Sequence, residues 1–318
     1  MTPSPVHARA AGIALGVIVD AVLGDPVRGH PVAVFGRWAG ALEHRWYAPS
    51  RSRGTGYTVV AVAGPVLLGL AAERATARSP VGRTLVTALA TWVALGGTSL
   101  VREGMLMAGA LEAADLPAAR ERLTHLCARD PADLPAAALA RATVESMAEN
   151  TSDAVVAPLF WAAVAGVPGV LGYRAVNTLD AMVGYRSARY LEFGWASARL
   201  DDLVNLVPAR LTGGLTVLCA PLVGGSPGRA LRVWRADGAR HPSPNAGHCE
   251  ASAAGALGVR LGGENVYAGQ AERRPEVGGR GRAPGIGDVR RSAALSRYVG
   301  LAGAIVAVAV AAGRGRAR

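Results

Sequence analysis

A chain of 318 residues that is 51% hydrophobic, 18% charged and only 5% aromatic carries its apolar mass mostly in Ala, Val and Leu, in longer uncharged runs than a soluble domain needs. Its formal net charge of +11 rests on arginine alone, because none of the 34 basic side chains is lysine, and this excludes a P-loop lysine and a Schiff-base lysine. No nucleic-acid module accompanies the positive charge, and Cys127, Cys219 and Cys249 form no CxxC pair, so nucleic acid, a disulfide framework and a zinc site are all disfavoured in favour of anionic lipid or phosphorylated substrates.

In chain order, residues 10–23 form a first apolar stretch. Asp20 interrupts it and Gly24-Asp25-Pro26 follows instead of a small-residue cleavage site, so it reads as an uncleaved, short or tilted membrane segment with Asp20 turned toward protein or the interface. Residues 25–56 read as a polar loop whose prolines and glycines hold Asp25, Arg28, His30 and Arg37 near one another. Residues 57–72 and 84–101 predict a helical hairpin through the membrane, the second being 18 residues without a formal charge, roughly 27 Å of helix. From 102 to 142 the pattern turns amphipathic, with Leu116, Leu123, Leu126 and Leu134 among Arg and Glu, which predicts helices on the aqueous side with no legible chemistry.

The densest chemistry lies between 145 and 202. Glu145, Glu149 and Asp153 stand at i, i+4 and i+8, so a continuous helix would put three carboxylates on one face, with Ser146 and Asn150 on its flank. Such oxygen ligands suit Mg²⁺, particularly Mg²⁺ carried on a nucleotide; the bland alternative is a solvated face followed by a cap at Thr151, Ser152 or Asp153. Residues 154–172 are charge-free, but Pro158, Pro168, Gly166, Gly169 and Gly172 predict a kinked or re-entrant segment. Arg174, Asn177, Asp180, Arg186, Arg189, Glu192, Arg199, Asp201 and Asp202 follow.

Residues 203–225 are again apolar, and 226–297 form a long polar region with 12 arginines against six acids, including the turn His241-Pro242-Ser243-Pro244-Asn245 and a Gly/Arg-rich stretch at 278–287 that reads as flexible. Residues 298–313 predict a last membrane helix. The expected architecture is an all-α, polytopic integral membrane protein, one domain over 1–318, with about four to six membrane segments, some re-entrant, and amphipathic helices plus polar loops on the cytoplasmic side. Arginine counting puts 226–297, 25–56 and 102–153 in the cytoplasm; strict six-span alternation agrees but leaves 173–202 outside, which a re-entrant segment would change.

Carboxylates for Mg²⁺ and guanidinium groups for phosphate point to magnesium-dependent handling of a phosphorylated substrate, and the absence of a Walker loop, GxSxG or HExxH disfavours the enzymes those motifs mark. Beyond this, the chain resembles the CbiB/CobD family of adenosylcobinamide-phosphate synthases, membrane proteins of cobalamin biosynthesis. The resemblance lies in Leu23-Gly24-Asp25-Pro26 with His30-Pro31-Val32, Glu145 to Asp153 with Ala157-Pro158-Leu159-Phe160-Trp161, Ala175 to Tyr185, Phe193 to Asp202 and His241 to Asn245, spread in order over nearly the whole chain.

The resemblance implies a multi-pass protein of the cell membrane with cytoplasmic active-site loops. Its implied activity is ATP-dependent amide ligation of aminopropanol phosphate to the free propionate of adenosylcobyric acid, with Mg²⁺ as cofactor, ATP as co-substrate, the lipid bilayer and other corrinoid-pathway membrane proteins as partners, and no nucleic acid. The residues expected to carry it are Glu145, Glu149, Asp153, Asp180 and His241 as catalytic groups, the first three as metal ligands, and Asp25, His30, Asn150, Arg174, Asn177, Arg186, Arg240 and Asn245 as substrate or phosphate contacts. Arg174, Arg186 and Arg240 stand where lysine is expected in many relatives, which preserves phosphate pairing better than proton transfer. Competing readings are a CDP-alcohol phosphotransferase-like enzyme, suggested by Asp180, Ala188-Arg189, Gly194 and Asp201 but lacking that signature's Asp-Gly start, and a non-catalytic corrinoid transporter or scaffold.

Overall fold

The computed structural model describes residues 7–25, 29–267 and 270–316. Its helices are α1 (Ala8–Leu23), α2 (Pro31–Trp46), α3 (Arg51–Ala75), α4 (Pro80–Ala94), α5 (Gly97–Glu112), α6 (Leu116–Thr124) and α7 (Ala136–Thr151), then a wide π-turn (Ser152–Val156) and α8 (Ala157–Val183). After these come α9 (Tyr190–Phe193), α10 (Trp195–Val204), α11 (Leu206–Cys219), a 3₁₀ turn (Ala220–Val223), α12 (Pro227–Asp237), α13 (Ala246–Leu257), an antiparallel hairpin of β1 (Leu261–Tyr267) and β2 (Gln270–Val277), and α14 (Ile286–Arg316). Five helical stretches among the described residues are long and apolar enough to cross a membrane: Arg51–Ala75, Pro80–Glu112, Ala136–Val183, Leu206–Val223 and Ile286–Arg314. Their outward faces are apolar, with Leu67, Leu68, Leu218 and Ile305 exposed, as a lipid-facing surface requires. The protein is a multi-pass, helical membrane protein.

The chain divides into two compact units. The first comprises residues 1–96, 157–205 and 303–318, the second residues 97–156 and 206–302. In the first, α1 lies against α4 because Gly12 and Gly16 leave no side chain between them; a Cβ at either would stand 2.5 or 2.7 Å from the Cβ of Thr87 or Thr91. Small residues four apart give membrane helices this close approach. Asp20 is buried, as its place in an apolar stretch demands. A core of Ala39, Tyr57, Ala61, Leu179, Val183 and Phe193 ties α2, α3, α8 and α9 together. In the second unit, α13 is buried along almost its whole length, and Leu100, Leu126, Met147 and Ala293 form a packed cluster.

Three expectations need correction. Most of the expected loop is helix, α2 over Pro31–Trp46 and the start of α3: His30 caps α2 by accepting the Val32 amide on Nδ1 at 3.1 Å, and Pro31 pre-sets the first helical residue, while Arg28 lies outside the described residues. The uncharged run 84–101 is broken where Leu95 turns extended before Gly96-Gly97, so α4 ends and α5 begins there. The polar region 226–297 folds into α12, α13 and the hairpin, with a register irregularity between Leu261 and Gly263. The kink expected in 154–172 is present: Gly166 has φ 69° and ψ −151°, which splits α8. Glu73 accepts the Val167 amide at 3.0 Å and lies 3.5 Å from Arg9, so a carboxylate sits at the start of the second half of α8.

Candidate functional site

In the first unit, the second half of α8 presents Arg174, Asn177 and Asp180 at three-residue spacing, and α10 contributes Asp201. The Arg174 guanidinium donates to Asn177 Oδ1 at 3.2 Å, and Asn177 Nδ2 donates to Asp201 Oδ1 at 3.5 Å. Asn205 completes the arrangement from below, donating to Asp201 Oδ2 at 3.0 Å while its own Oδ1 accepts from Tyr173 OH at 3.0 Å. Burial and the neighbouring Asp180 carboxylate push Asp201 up to about 7, against the two amide hydrogen bonds. His30 Nε2 stands 4.0 Å from Asp25 Oδ1, and burial lowers its pKa below the usual imidazole value. An apolar cleft of about 410 Å³ opens beside this cluster, walled by Phe35, Trp38, Leu68 and Leu171, with Arg174 and Thr178 as its polar groups. Arg186 is exposed in the turn after α8, within electrostatic reach of Asp202.

In the second unit, the carboxylates are already engaged. Glu145 Oε2 receives the Arg129 guanidinium at 2.7 Å, with both side chains only 5% exposed. Its Oε1 accepts the Gly262 amide at 2.7 Å, with Arg141 at 3.9 Å. Arg141 in turn donates to the carbonyls of Gly262 and Glu264, both at 2.6 Å, stitching α7 to β1. Asn150 and Ser146 both donate to the Leu126 carbonyl, at 3.0 and 2.6 Å, which holds the loop that brings in Arg129. Glu149 is half-buried near Glu145, Arg129 and Arg274. Asp153 falls in the π-turn, which breaks the four-residue spacing that a regular helix would have kept. Neither Thr151 nor Ser152 caps the start of a helix: Thr151 Oγ1 bonds the Met147 carbonyl at 2.6 Å, and Ser152, the C-cap residue of α7, is buried inside the turn.

The His241 to Asn245 turn is built like the His30 turn. His241 Nδ1 accepts the Ser243 amide at 3.0 Å, which leaves Nε2 toward Glu250 Oε1 at 3.9 Å. Asn245 Oδ1 accepts from Arg210 at 2.9 Å. Burial holds the Glu250 carboxyl well above the usual range, and the Glu145 and Glu149 charges add to this. Arg240 is exposed and pairs with Asp237 at 3.2 Å, a solvated contact worth little.

Of the expected groups, Arg174, Asn177 and Asp180 come together in one unit beside Asp25 and His30, while Glu145, Glu149, Asp153, Asn150, His241 and Asn245 belong to the other. Sequence reasoning missed Arg129, Asn205 and the central place of Asp201 and Glu250. Arg129-Asp130-Pro131 marks a turn, but nothing in it signals a partner 16 residues on. A resident Mg²⁺ does not fit the trio Glu145, Glu149 and Asp153, because both Glu145 oxygens already have donors. Among the described residues no group of three His, Cys, Asp or Glu side chains could hold a metal ion.

The profile of the family described as CobD/Cbib protein matches residues 13–296. The chain is 54% identical over 309 residues to a cobalamin biosynthesis protein CobD of Mycobacterium tuberculosis, covering 97% of each chain. It is 45% identical over 273 residues to that of Geobacter metallireducens (84% and 86% covered) and 41% identical over 311 residues to that of Rhodobacter capsulatus (91% and 93% covered). No solved structure matches the chain significantly.

Proposed function

Since this chain belongs to the CobD/CbiB family of cobalamin biosynthesis proteins, we propose that it catalyses ATP-dependent amide ligation, joining aminopropanol phosphate to the free propionate of adenosylcobyric acid. The observation that carries this reading is the line of opposite charges in the first unit, with Arg174 at one end and the Asp180 and Asp201 carboxylates at the other. An amino alcohol phosphate has the matching ends. Its phosphate pairs with the Arg174 fork and its ammonium with the two carboxylates.

An ammonium is not a nucleophile until it loses a proton. Asp201, pushed up to about 7 by burial and by Asp180, accepts that proton at neutral pH more readily than an ordinary carboxylate. Asn177 and Asn205 fix the carboxylate's orientation, so the freed amine is held where the activated carbonyl must arrive. Activation consumes ATP: the propionate oxygen takes the γ-phosphoryl group, ADP leaves, and amine attack on the acyl phosphate forms the C–N bond and releases phosphate. Mg²⁺ enters this scheme as part of the nucleotide substrate, and no step is assigned to a protein-held metal.

The test is purified protein in detergent with adenosylcobyric acid, aminopropanol phosphate and Mg-ATP. Amide and ADP in equal amounts support the ligase. Turnover only with a CDP-alcohol, or binding of the corrinoid without turnover, would replace it with a phosphotransferase or a scaffold.

A further inference from the structure

Asp201 is held at both carboxylate oxygens by the same device. On one side the Arg174 guanidinium donates to Asn177 Oδ1 at 3.2 Å, and Asn177 Nδ2 donates on to Asp201 Oδ1 at 3.5 Å. On the other, the Tyr173 hydroxyl donates to Asn205 Oδ1 at 3.0 Å, and Asn205 Nδ2 donates on to Asp201 Oδ2 at 3.0 Å. Two neighbours on α8, about 100° apart around the helix, thus reach the two oxygens of one carboxylate, each through an asparagine. The proposed reaction gives Arg174 a second duty, because its fork also holds the substrate phosphate. No such duty falls on the Tyr173 chain.

Asn205 closes α10. Its main-chain N–H donates to the Asp201 carbonyl at 3.1 Å, while its side chain turns back to the carboxylate of the same residue. What this leaves open is which end of the amide faces the carboxylate, since Nδ2 supports the charge and Oδ1 would repel it. A hydroxyl donating to Oδ1 settles the choice. Donors in series also strengthen one another, so Tyr173 makes Asn205 a better donor to Asp201. Tyr173 and Asn205 are each only 2% exposed, so water does not stand in for either bond.

The charges nearest Asp201 are those of Asp180 on α8 and Asp202 on α10, both of which raise its proton affinity, with Arg174 behind Asn177. Asp202 is itself offset by Arg199 and Arg186. Helix α3 meets α10 through the neutral Thr58–Ser197 hydroxyl pair at 2.8 Å, and its Arg51, over the Trp195 ring, pairs with Glu192 of α9. Against burial and two carboxylates, the amide donors are what keep Asp201 from holding a proton too tightly to pass it on.

We infer that Tyr173 is a positioning residue for the proton acceptor Asp201, acting through Asn205. The inference rests on the ligase reading and adds to it a residue that touches no substrate. With the Tyr173 hydroxyl removed, Asn205 donates less strongly, the carboxylate is less well supported, and its proton is held more tightly.

The experiment is the pH dependence of kcat/KM for aminopropanol phosphate, measured with the full chain in detergent for wild type, Tyr173→Phe, Asn205→Ala and the double variant. The ascending limb reports the acceptor losing its proton. It should move to higher pH by about one unit in Tyr173→Phe, at least as far in Asn205→Ala, and no further in the double variant than in Asn205→Ala. Unfolding midpoints without substrate should fall with pH over a window displaced upward by the same amount. Tyr173→Phe keeps the ring and its packing, so a merely structural tyrosine would leave the limb in place. An unmoved limb in Tyr173→Phe, with the amide still formed, overturns the inference and leaves the ligase reading standing. A further shift in the double variant overturns the passage through Asn205. No amide from wild type at any pH overturns the ligase reading and, with it, the part given to Tyr173 in the reaction.

Discussion

Asp201 of the first unit and Glu145 of the second are held in opposite ways. In the first, Asp201 is gripped by side-chain amides, Asn177 and Asn205, which orient it without cancelling its charge. In the second, Glu145 is gripped by the Arg129 guanidinium and a backbone amide, which neutralise it and turn it into a strut between the α6–α7 loop, α7 and β1. A carboxylate oriented by neutral donors is available to a cationic substrate, whereas one closed by a guanidinium is structural. The same motif chemistry, acid beside base, leaves the Asp201 carboxylate oriented by neutral donors and closes the Glu145 carboxylate with a cation.

The sharpest way to break this contrast is Arg129→Ala. It leaves buried Glu145 with only the more distant Arg141 at 3.9 Å and should cost about 3–5 kcal/mol, read as a large drop in the thermal unfolding midpoint in detergent. A midpoint near that of wild type would mean that Glu145 is no strut. Asp201→Asn tests the other half: amide formation should fall about a hundredfold, or about 2.7 kcal/mol in transition-state terms, with the midpoint kept or raised. A variant that turned over normally would remove the proton-acceptor role.

Gly166→Ala probes the joint that positions Arg174. The added Cβ would stand 2.2 Å from Glu73 Oε1 at a residue with φ 69°, so a loss of about 1–3 kcal/mol and a raised KM for the amine are expected together. Loss of stability with an unchanged KM would separate the joint from the site.

The smallest effect is a pH slope. The folded Asp201 carboxyl is raised to about 7, so it keeps its proton in a window where the unfolded chain has released it. Its stabilising contribution is fully present below about pH 4, declines as pH rises, and is gone above about 7, with a slope no steeper than about 1.4 kcal/mol per pH unit. Unfolding midpoints across that window should fall with pH in the wild type and flatten in Asp201→Asn. Parallel curves would assign the slope to another group.

What could be read from the residues was local. The glycines and prolines of 154–172 announced the break in α8, although Pro158 sits harmlessly in its first turn and Gly166 makes the kink. His30-Pro31 was read as a turn and is a helix start, because the imidazole replaces the usual hydroxyl or carboxylate at the cap. The hairpin stayed hidden because Gly262, Gly263 and a charged second strand show none of the alternation that marks a half-buried sheet. Arg129 and Glu250 were illegible for a different reason. Their partners, Glu145 and His241, are set by how successive elements pack across a turn, and neither helical nor strand periodicity encodes that.

The left-handed residue at 166 has one more effect. A continuous helix would carry angular position from the π-turn straight to Asp180, so any upstream insertion would swing the whole row. With the chain restarted at Val167 under the Glu73 carboxylate, the facing of Arg174, Asn177 and Asp180 is counted from α3. A residue inserted before 166 leaves that row aimed as it was. One inserted between 167 and 174 rotates it by about 100° and turns Asn177 away from the Asp201 carboxylate of α10.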